Sequence, residues 1–236
     1  MKKRIWELDA LRGLCILCVV FIHFMYDLTD LYGLIEFEYP AIYIFIQQWG
    51  GVLFLLISGI CVTLGHRCIR RGLLVLLCGL VISAVTVGMY FLGMADKGVI
   101  IYFGILHCLG FCMLLWPLFR KLPNWLLAAA GCLLAVVGLY LNIMRLEHNW
   151  LMPLGLVSPQ FASADYFPLL PHFGFFLLGA FLGKTLYRKQ QTLFPKVNPD
   201  ILPLRFLKLC GKHSLWIYLL HQPILSGIFW LILSLK

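Results

Sequence analysis

Residues 11–31 read LRGLCILCVVFIHFMYDLTDL, an apolar run that is long enough to cross a lipid bilayer. Arg12 and His23 are eleven residues apart, so at 100° per residue they lie about 20° from a whole number of turns. Asp27 follows one turn later on nearly the same face. His23 is ~16 Å from Arg12 along the axis, and it lies near the midplane if Arg12 lies at a membrane surface. Because an ionisable side chain at that depth is costly, this face predicts a functional site.

The composition of the whole chain is typical of an integral membrane protein. Of its 236 residues, 62% are hydrophobic and 12% are charged, and the mean hydropathy is +0.92. A soluble domain carries about twice that charged fraction. We predict an all-α fold, a polytopic membrane helix bundle that forms a single integral-membrane domain over residues 1–236. About seven transmembrane helices are expected, at residues 11–31, 42–64, 73–94, 99–119, 124–144, 168–187 and 214–235.

The net charge of +9 follows the predicted topology. When alternate loops are assigned to opposite sides, sixteen of the 19 Lys and Arg residues share one side, and only Lys97, Arg145 and Lys236 lie on the other. The positive-inside rule then places the N-terminus in the cytoplasm, in a protein of the cell inner membrane. The lipid bilayer is the expected partner, and nucleic-acid binding is not needed to explain the charge. The nine cysteines lie in predicted spans or on the basic side, so we expect neither disulfides nor a metal site.

Three histidines are predicted at a similar depth in the membrane. His107 falls eight residues into its predicted span, His221 falls seven residues into the last one, and His23 lies near the midplane. Together they favour a polar cavity shared by three helices. The alternative is that each histidine only bonds to a neighbouring helix. Asp27 either orients His23 as a base or is a solvated carboxylate at the outer surface.

The last predicted span carries a polar stripe on one helical face: Ser214, Tyr218, His221, Gln222 and Ser226. Ser214 is predicted to cap the start of this helix, and Lys212 and His213 beside it favour a phosphate site. Ordinary capping together with the positive-inside rule explains the same residues. A second basic cluster is open to the same two interpretations: Arg67, Arg70 and Arg71.

The start of the sixth predicted span forms a further candidate site. Asp165 and His172 flank the proline-containing stretch YFPLLP at residues 166–171. They either contact a polar acceptor that arrives from outside, or the prolines only shape the start of a helix. Within the same span, Gly179 and Gly183 are spaced for a close approach of two helices.

Several of these stretches resemble motifs of a known family. LDALRG at residues 8–13, with His23 following, and GKHSLWIYLLHQP at residues 211–223 are similar to the opening and closing motifs of membrane-bound acyltransferases. FLLISG at 54–59, FGILH at 103–107 and DYFPLLP at 165–171 resemble a bacterial branch. That branch is similar to the catalytic domain of heparan-alpha-glucosaminide N-acetyltransferase. The resemblance implies transfer of an acetyl or other acyl group from cytoplasmic acyl-CoA to a sugar amine or hydroxyl of an envelope glycan or glycolipid.

The resulting hypothesis assigns roles to residues on both sides of the membrane. His23, oriented by Asp27, is the proposed base, and His221 is a further catalytic candidate. Hydrogen bonds to the developing oxyanion are assigned to His107, Ser58 or Tyr218. Residues expected near the acyl-CoA phosphates are Arg12, Arg67, Arg70, Arg71, Lys212, His213 and Ser214. Residues expected near the acceptor are Asp165, His172, Tyr218, Gln222 and Ser58.

Two other classes of function fit the same residues. The midplane histidines and outer carboxylates are compatible with a proton-coupled transporter or flippase for a polar or lipid-linked solute. His107 and His221 are also compatible with the axial ligands of a haem. Acceptor identity, acyl chain length and a homodimeric state are left open by the sequence.

Overall fold

The computed structural model describes residues 4–235, and this part of the chain is built from α-helices. The helices are α1 (Trp6–Tyr26), α2 (Ala41–Leu64), α3 (Cys68–Phe91), α4 (Ile105–Phe119), α5 (Asn124–Leu141), α6 (Leu169–Leu186), α7 (Leu202–Lys212) and α8 (Ser214–Ser234). A π-helical turn, Asp27–Leu31, extends α1. Lys2, Lys3 and Lys236, which contribute to the predicted charge asymmetry, lie outside the described residues.

The helices confirm a membrane helix bundle with close to the predicted number of spans. Six segments among the described residues are long and apolar enough to cross a membrane: Trp6–Leu31, Ala41–Leu64, Cys68–Phe91, Asn124–Leu141, Leu169–Leu186 and Ser214–Ser234. The remaining predicted span, 99–119, corresponds to the shorter apolar helix α4 of 15 residues. The chain is therefore a multi-pass membrane protein, and the cytoplasmic placement of its N-terminus stays a prediction.

Side chains on the spans remain apolar where the protein does not cover them. On α3, Leu73, Leu77 and Leu80 are 55%, 57% and 53% exposed. Many exposed leucines on one long helix are typical of a surface that contacts lipid tails.

One compact unit comprises the described residues of Met1–Phe54 and Gln190–Lys236. Within it, α1 packs on α7 and on α8. A Cβ atom on Gly211 would lie 1.8 Å from the carbonyl oxygen of Asp9, and one on Gly13 would lie 2.0 Å from that of Leu207. The backbones of α1 and α7 are thus in direct contact, which only glycine permits at these two positions.

The other unit comprises Leu55–Lys189. Within it, α3 packs on α4, α5 on α6, and α4 on α6. The last part of α2 approaches α6 closely, because a Cβ atom on Gly179 would lie 2.1 Å from the carbonyl oxygen of Leu56. One on Gly183 would lie 2.9 Å from that of Ile60. This confirms the helix approach predicted for Gly179 and Gly183. The prediction of a single domain over residues 1–236 stays a prediction.

Candidate functional site

Two of the three predicted histidines meet in the first unit, where α1 lies against α8. The ring centroids of His23 and His221 are 4.8 Å apart, and the ring planes are inclined by 59°. His221 is 9% exposed and His23 is half-buried, so the contact is largely covered by the protein. These two side chains are therefore in contact, and their membership of one functional site stays a prediction.

The hydrogen bonding of His221 decides which of its nitrogens is basic. Nδ1 lies 2.6 Å from the carbonyl oxygen of Tyr218. Because a carbonyl oxygen can only accept, Nδ1 carries the proton of the neutral ring. The lone pair is then on Nε2, which is buried and has no hydrogen-bond partner among the described residues. Burying an unpaired acceptor costs free energy, so this nitrogen is available for a ligand or a proton.

Asp27 is bound by α8 rather than by His23. Its side chain is wholly buried, and Gln222 Nε2 lies 3.0 Å from Oδ1 and 3.1 Å from Oδ2. The hypothesis that Asp27 orients His23 is therefore wrong, and so is the solvated alternative. The α-helix becomes a π-helical turn at Asp27, which changes the side-chain directions that ideal spacing assumes. A primary amide on the facing helix then donates to both carboxylate oxygens.

Gln222 contributes a second unpaired acceptor. Its Oε1 atom is buried and has no hydrogen-bond partner among residues 4–235. Neighbouring residues of α8, His221 and Gln222, therefore both present acceptor atoms without donors. The complementary ligand groups are N–H and O–H, which are the nucleophilic groups of amines and alcohols.

The start of α8 differs from the prediction. Ser214 is the first residue of the helix and is buried, while His213 occupies the cap position and makes no side-chain cap hydrogen bond. The predicted capping role of Ser214 is wrong because α7 ends at Lys212, one residue before His213. The carbonyl of His213 already accepts a hydrogen bond from the N–H of Ile217, at 3.0 Å. Lys212 and His213 are exposed.

Ion pairs fix the start of α1. Asp9 accepts two hydrogen bonds from Arg4, both 2.8 Å long. Arg12 Nη1 lies 3.5 Å from Asp9 Oδ1, and the Arg12 side chain is 15% exposed. Arg12 is thus held near Asp9 at the first turns of this span, and its predicted contact with acyl-CoA stays a prediction.

An open cavity of about 520 Å³ lies in the first unit, between the start of α1 and the exposed face of α7. It is lined by Arg4, Asp9, Leu202, Arg205, Phe206, Lys208, Leu209 and Lys212. Only Lys212 among its cations was predicted as a site residue. Lys208 also binds Asp200 Oδ1 at 2.9 Å, and this hydrogen bond holds the pKa of Asp200 below its usual value.

His107, in the second unit, has partners for both ring nitrogens. Gly104 N–H donates to Nδ1 at 3.2 Å, so the proton of the neutral ring is on Nε2, which lies 3.3 Å from Ser83 Oγ. His107 is the third residue of α4, and the expectation of eight residues inside a helical span is wrong. A haem ligand needs a free lone pair on the ring, which this arrangement does not leave. A structural role at the helix start fits these contacts.

Asp165 and His172 also bond to backbone groups. Asp165 Oδ2 accepts a hydrogen bond from the N–H of Ile105 at 3.0 Å, so a distant loop caps the start of α4. His172 Nδ1 lies 2.6 Å from the carbonyl oxygen of Pro168 and donates to it. These contacts favour the interpretation in which this stretch shapes a helix start. A role in acceptor binding stays a prediction.

Side-chain hydrogen bonds to backbone groups hold the loop that precedes α6 together. The hydroxyl of Tyr166 donates to the carbonyl oxygen of Met152 at 2.6 Å. Burial raises the pKa of Tyr166 to about 12, so the hydroxyl is neutral under physiological conditions. Asn149 Oδ1 accepts a hydrogen bond from the N–H of Ser158 at 2.8 Å.

The remaining predicted residues also belong to the second unit. Ser58 is 5% exposed on α2, and Arg67, Arg70 and Arg71 are exposed at the start of α3. Among residues 4–235, no three His, Cys, Asp or Glu side chains are grouped so as to hold a metal ion.

Comparison with known protein families gives a match over most of the chain. The family described as "Heparan-alpha-glucosaminide N-acetyltransferase, catalytic" matches residues 4–223, which is nearly the whole chain. No curated protein and no solved structure matches the chain.

Proposed function

The chain belongs to the family of the heparan-alpha-glucosaminide N-acetyltransferase catalytic domain, and from that premise we propose that it transfers an acetyl group from acetyl-CoA to a sugar. The acceptor is an amine or hydroxyl of an envelope glycan or glycolipid. Family membership and the apolar helices together make the chain a membrane transferase. The identity of the acetyl donor, the identity of the acceptor and the location in the inner membrane belong to the proposal.

The observation that supports this reaction is the pair of histidines between α1 and α8. In acyl transfer, the acceptor nitrogen or oxygen attacks the thioester carbonyl, the C–S bond breaks, and coenzyme A leaves as its thiol. The acceptor loses one proton in the process, so a base must stand beside it. His221 offers a buried lone pair on Nε2, and the ring of His23 lies 4.8 Å away by centroids.

We assign the roles within this pair from the contacts of each residue. His23 takes the acceptor proton, and the ring of His221 packs against it and offers Nε2 as a second acceptor for that proton. Asp27 and Gln222 hold α1 and α8 together across the buried amide–carboxylate contact. The free Oε1 atom of Gln222 accepts a hydrogen bond from the acceptor.

The phosphates of acetyl-CoA need cationic groups outside the apolar part of the membrane. His213 is exposed beside the first turn of α8, and Arg12 lies near the first turns of α1. In this proposal the donor binds on the cytoplasmic side, where the positive-inside rule would place these cations, and the acceptor comes from the other side.

The proposal is tested with protein purified in detergent, acetyl-CoA and a panel of amino sugars and neutral sugars. We expect release of the coenzyme A thiol that depends on one acceptor, and a product heavier by one acetyl group in mass spectrometry. His23→Ala should abolish this release, whereas His148→Ala, at an exposed loop histidine, should leave it unchanged. Undiminished turnover of His23→Ala would remove the assigned role. Solute flux in proteoliposomes without any coenzyme A requirement would favour the transporter instead.

A further inference from the structure

Helix α7 has one face that packs on the protein and another that does not. Cys210 and Gly211 are buried on the packed face, and Gly211 touches the backbone of α1. The opposite face is lined by Leu202, Phe206 and Leu209 alongside Arg205, Lys208 and Lys212. At 100° per residue, the apolar and basic residues form two adjacent stripes within an arc of about 160°.

The side chains of the apolar stripe are more exposed than is favourable for apolar groups in water. Leu202 is 79% exposed, Leu209 is 56% exposed and Phe206 is 54% exposed. The helix has 11 residues, so it is too short to cross a bilayer. It ends one residue before the span α8, which places it at the end of a transmembrane helix and therefore at the membrane boundary.

The basic stripe supplies charge at the same level. Among the described residues, the side chains of Arg205 and Lys212 have no hydrogen-bond or close ion-pair partner, although the charge of Arg205 helps to lower the pKa of Asp200. Arg4 reaches the same cavity and is fixed there by its two hydrogen bonds to Asp9. The wall holds four cations and the carboxylate of Asp9, and Lys208 is also paired with Asp200, so the cavity of about 520 Å³ keeps a net positive charge.

From these features we propose that α7 lies in the plane of the membrane interface and that its cavity binds the phosphate of an anionic phospholipid. The three exposed apolar side chains enter the acyl boundary, and the neighbouring cations face the headgroup. A phospholipid contacts both stripes at once, because its acyl chains cover the apolar stripe while its phosphate, in the same molecule, pairs with the basic stripe. A soluble nucleotide would pair with the cations and leave the leucines uncovered.

The proposal is tested by native mass spectrometry of the full chain in detergent, titrated separately with dioleoyl phosphatidylglycerol and dioleoyl phosphatidylcholine. We expect preferential binding of the anionic lipid. The double variant Arg205→Gln/Lys208→Gln should weaken phosphatidylglycerol binding by about 30-fold, since each basic residue near anionic lipid contributes about fivefold. The control Arg188→Gln/Lys189→Gln removes two exposed cations outside the cavity and should bind as the wild type does.

Three results would overturn the lipid site. Equal affinity of the wild-type protein for the two lipids would do so without any variant, and this comparison decides the matter if the double variant fails to fold. Unchanged phosphatidylglycerol binding in the double variant would remove the cavity from the interaction. A third titration, with coenzyme A, separates the sources of phosphate. Binding of coenzyme A that is lost in the double variant, without a lipid preference, would assign the cavity to the nucleotide.

Discussion

Replacing Gln222 with leucine removes the only side-chain hydrogen bonds that the described residues donate to Asp27. The Asp27 side chain is 0% exposed, and the two N–O distances are 3.0 and 3.1 Å. A hydrogen bond to a charged group contributes about 1.5–3 kcal/mol, and a buried carboxylate left without a donor also bears its desolvation cost. We therefore expect Gln222→Leu to destabilise the protein by about 3 kcal/mol, or about 100-fold in the unfolding equilibrium.

The assay is reversible unfolding in mixed micelles, with Gln48→Leu as the matched control. Gln48 is exposed on α2, so the same chemical change there should shift the unfolding free energy by less than about 0.5 kcal/mol. The double variant Asp27→Leu/Gln222→Leu removes both polar partners and should recover most of the loss. The reasoning is refuted if Gln222→Leu behaves like Gln48→Leu, or if the double variant is as unstable as the two single losses added together.

Two further variants test the packing of α7 on α1 and the hydrogen bonding of the loop that precedes α6. Gly211→Ala puts a Cβ atom 1.8 Å from the carbonyl oxygen of Asp9, so α7 must move away from α1, at a cost of about 1–3 kcal/mol. Gly227→Ala, with no atom within 4 Å, should cost nothing in the same unfolding titration, and an equal loss in both would contradict the backbone contact. Because burial raises the pKa of Tyr166 from 10.0 to about 12, its contribution is complete below pH 10 and is lost as the pH rises through 12. Tyr166→Phe should lose the bond to Met152 and flatten this alkaline decline, and an unchanged decline would assign it to other groups.

Hydropathy and helical spacing are enough to predict much of this molecule. The spans could be predicted from long apolar runs. No water is available to a backbone in lipid, so each crossing segment must be a long helix with apolar side chains. The contact between His23 and His221 agrees with their similar predicted depths, since polar side chains within a membrane usually face the interior of the helix bundle.

The missed features depend on contacts between distant parts of the sequence. The partner of Asp27 is Gln222, 195 positions away, and it competes successfully with the local neighbour His23. The late start of α4 depends on Phe103, whose carbonyl accepts a hydrogen bond from the N–H of Phe167 at 2.9 Å, and on the cap from Asp165. Helix α7 was not predicted, because it lies in a basic stretch that contains three prolines. A period-3.6 count over residues 202–212 alone could have found it.

The proposed catalytic role of the two histidines is tested most directly by a kinetic double-mutant cycle on His23 and His221. Acetyl-CoA turnover is measured for His23→Gln, His221→Gln and the double variant, each checked for wild-type stability. If the two residues act as one unit, each single variant lowers kcat by about 10²–10⁴-fold and the double variant is no slower than the slower single one. A His221→Gln variant with the wild-type rate, or single effects that multiply in the double variant, would contradict the account.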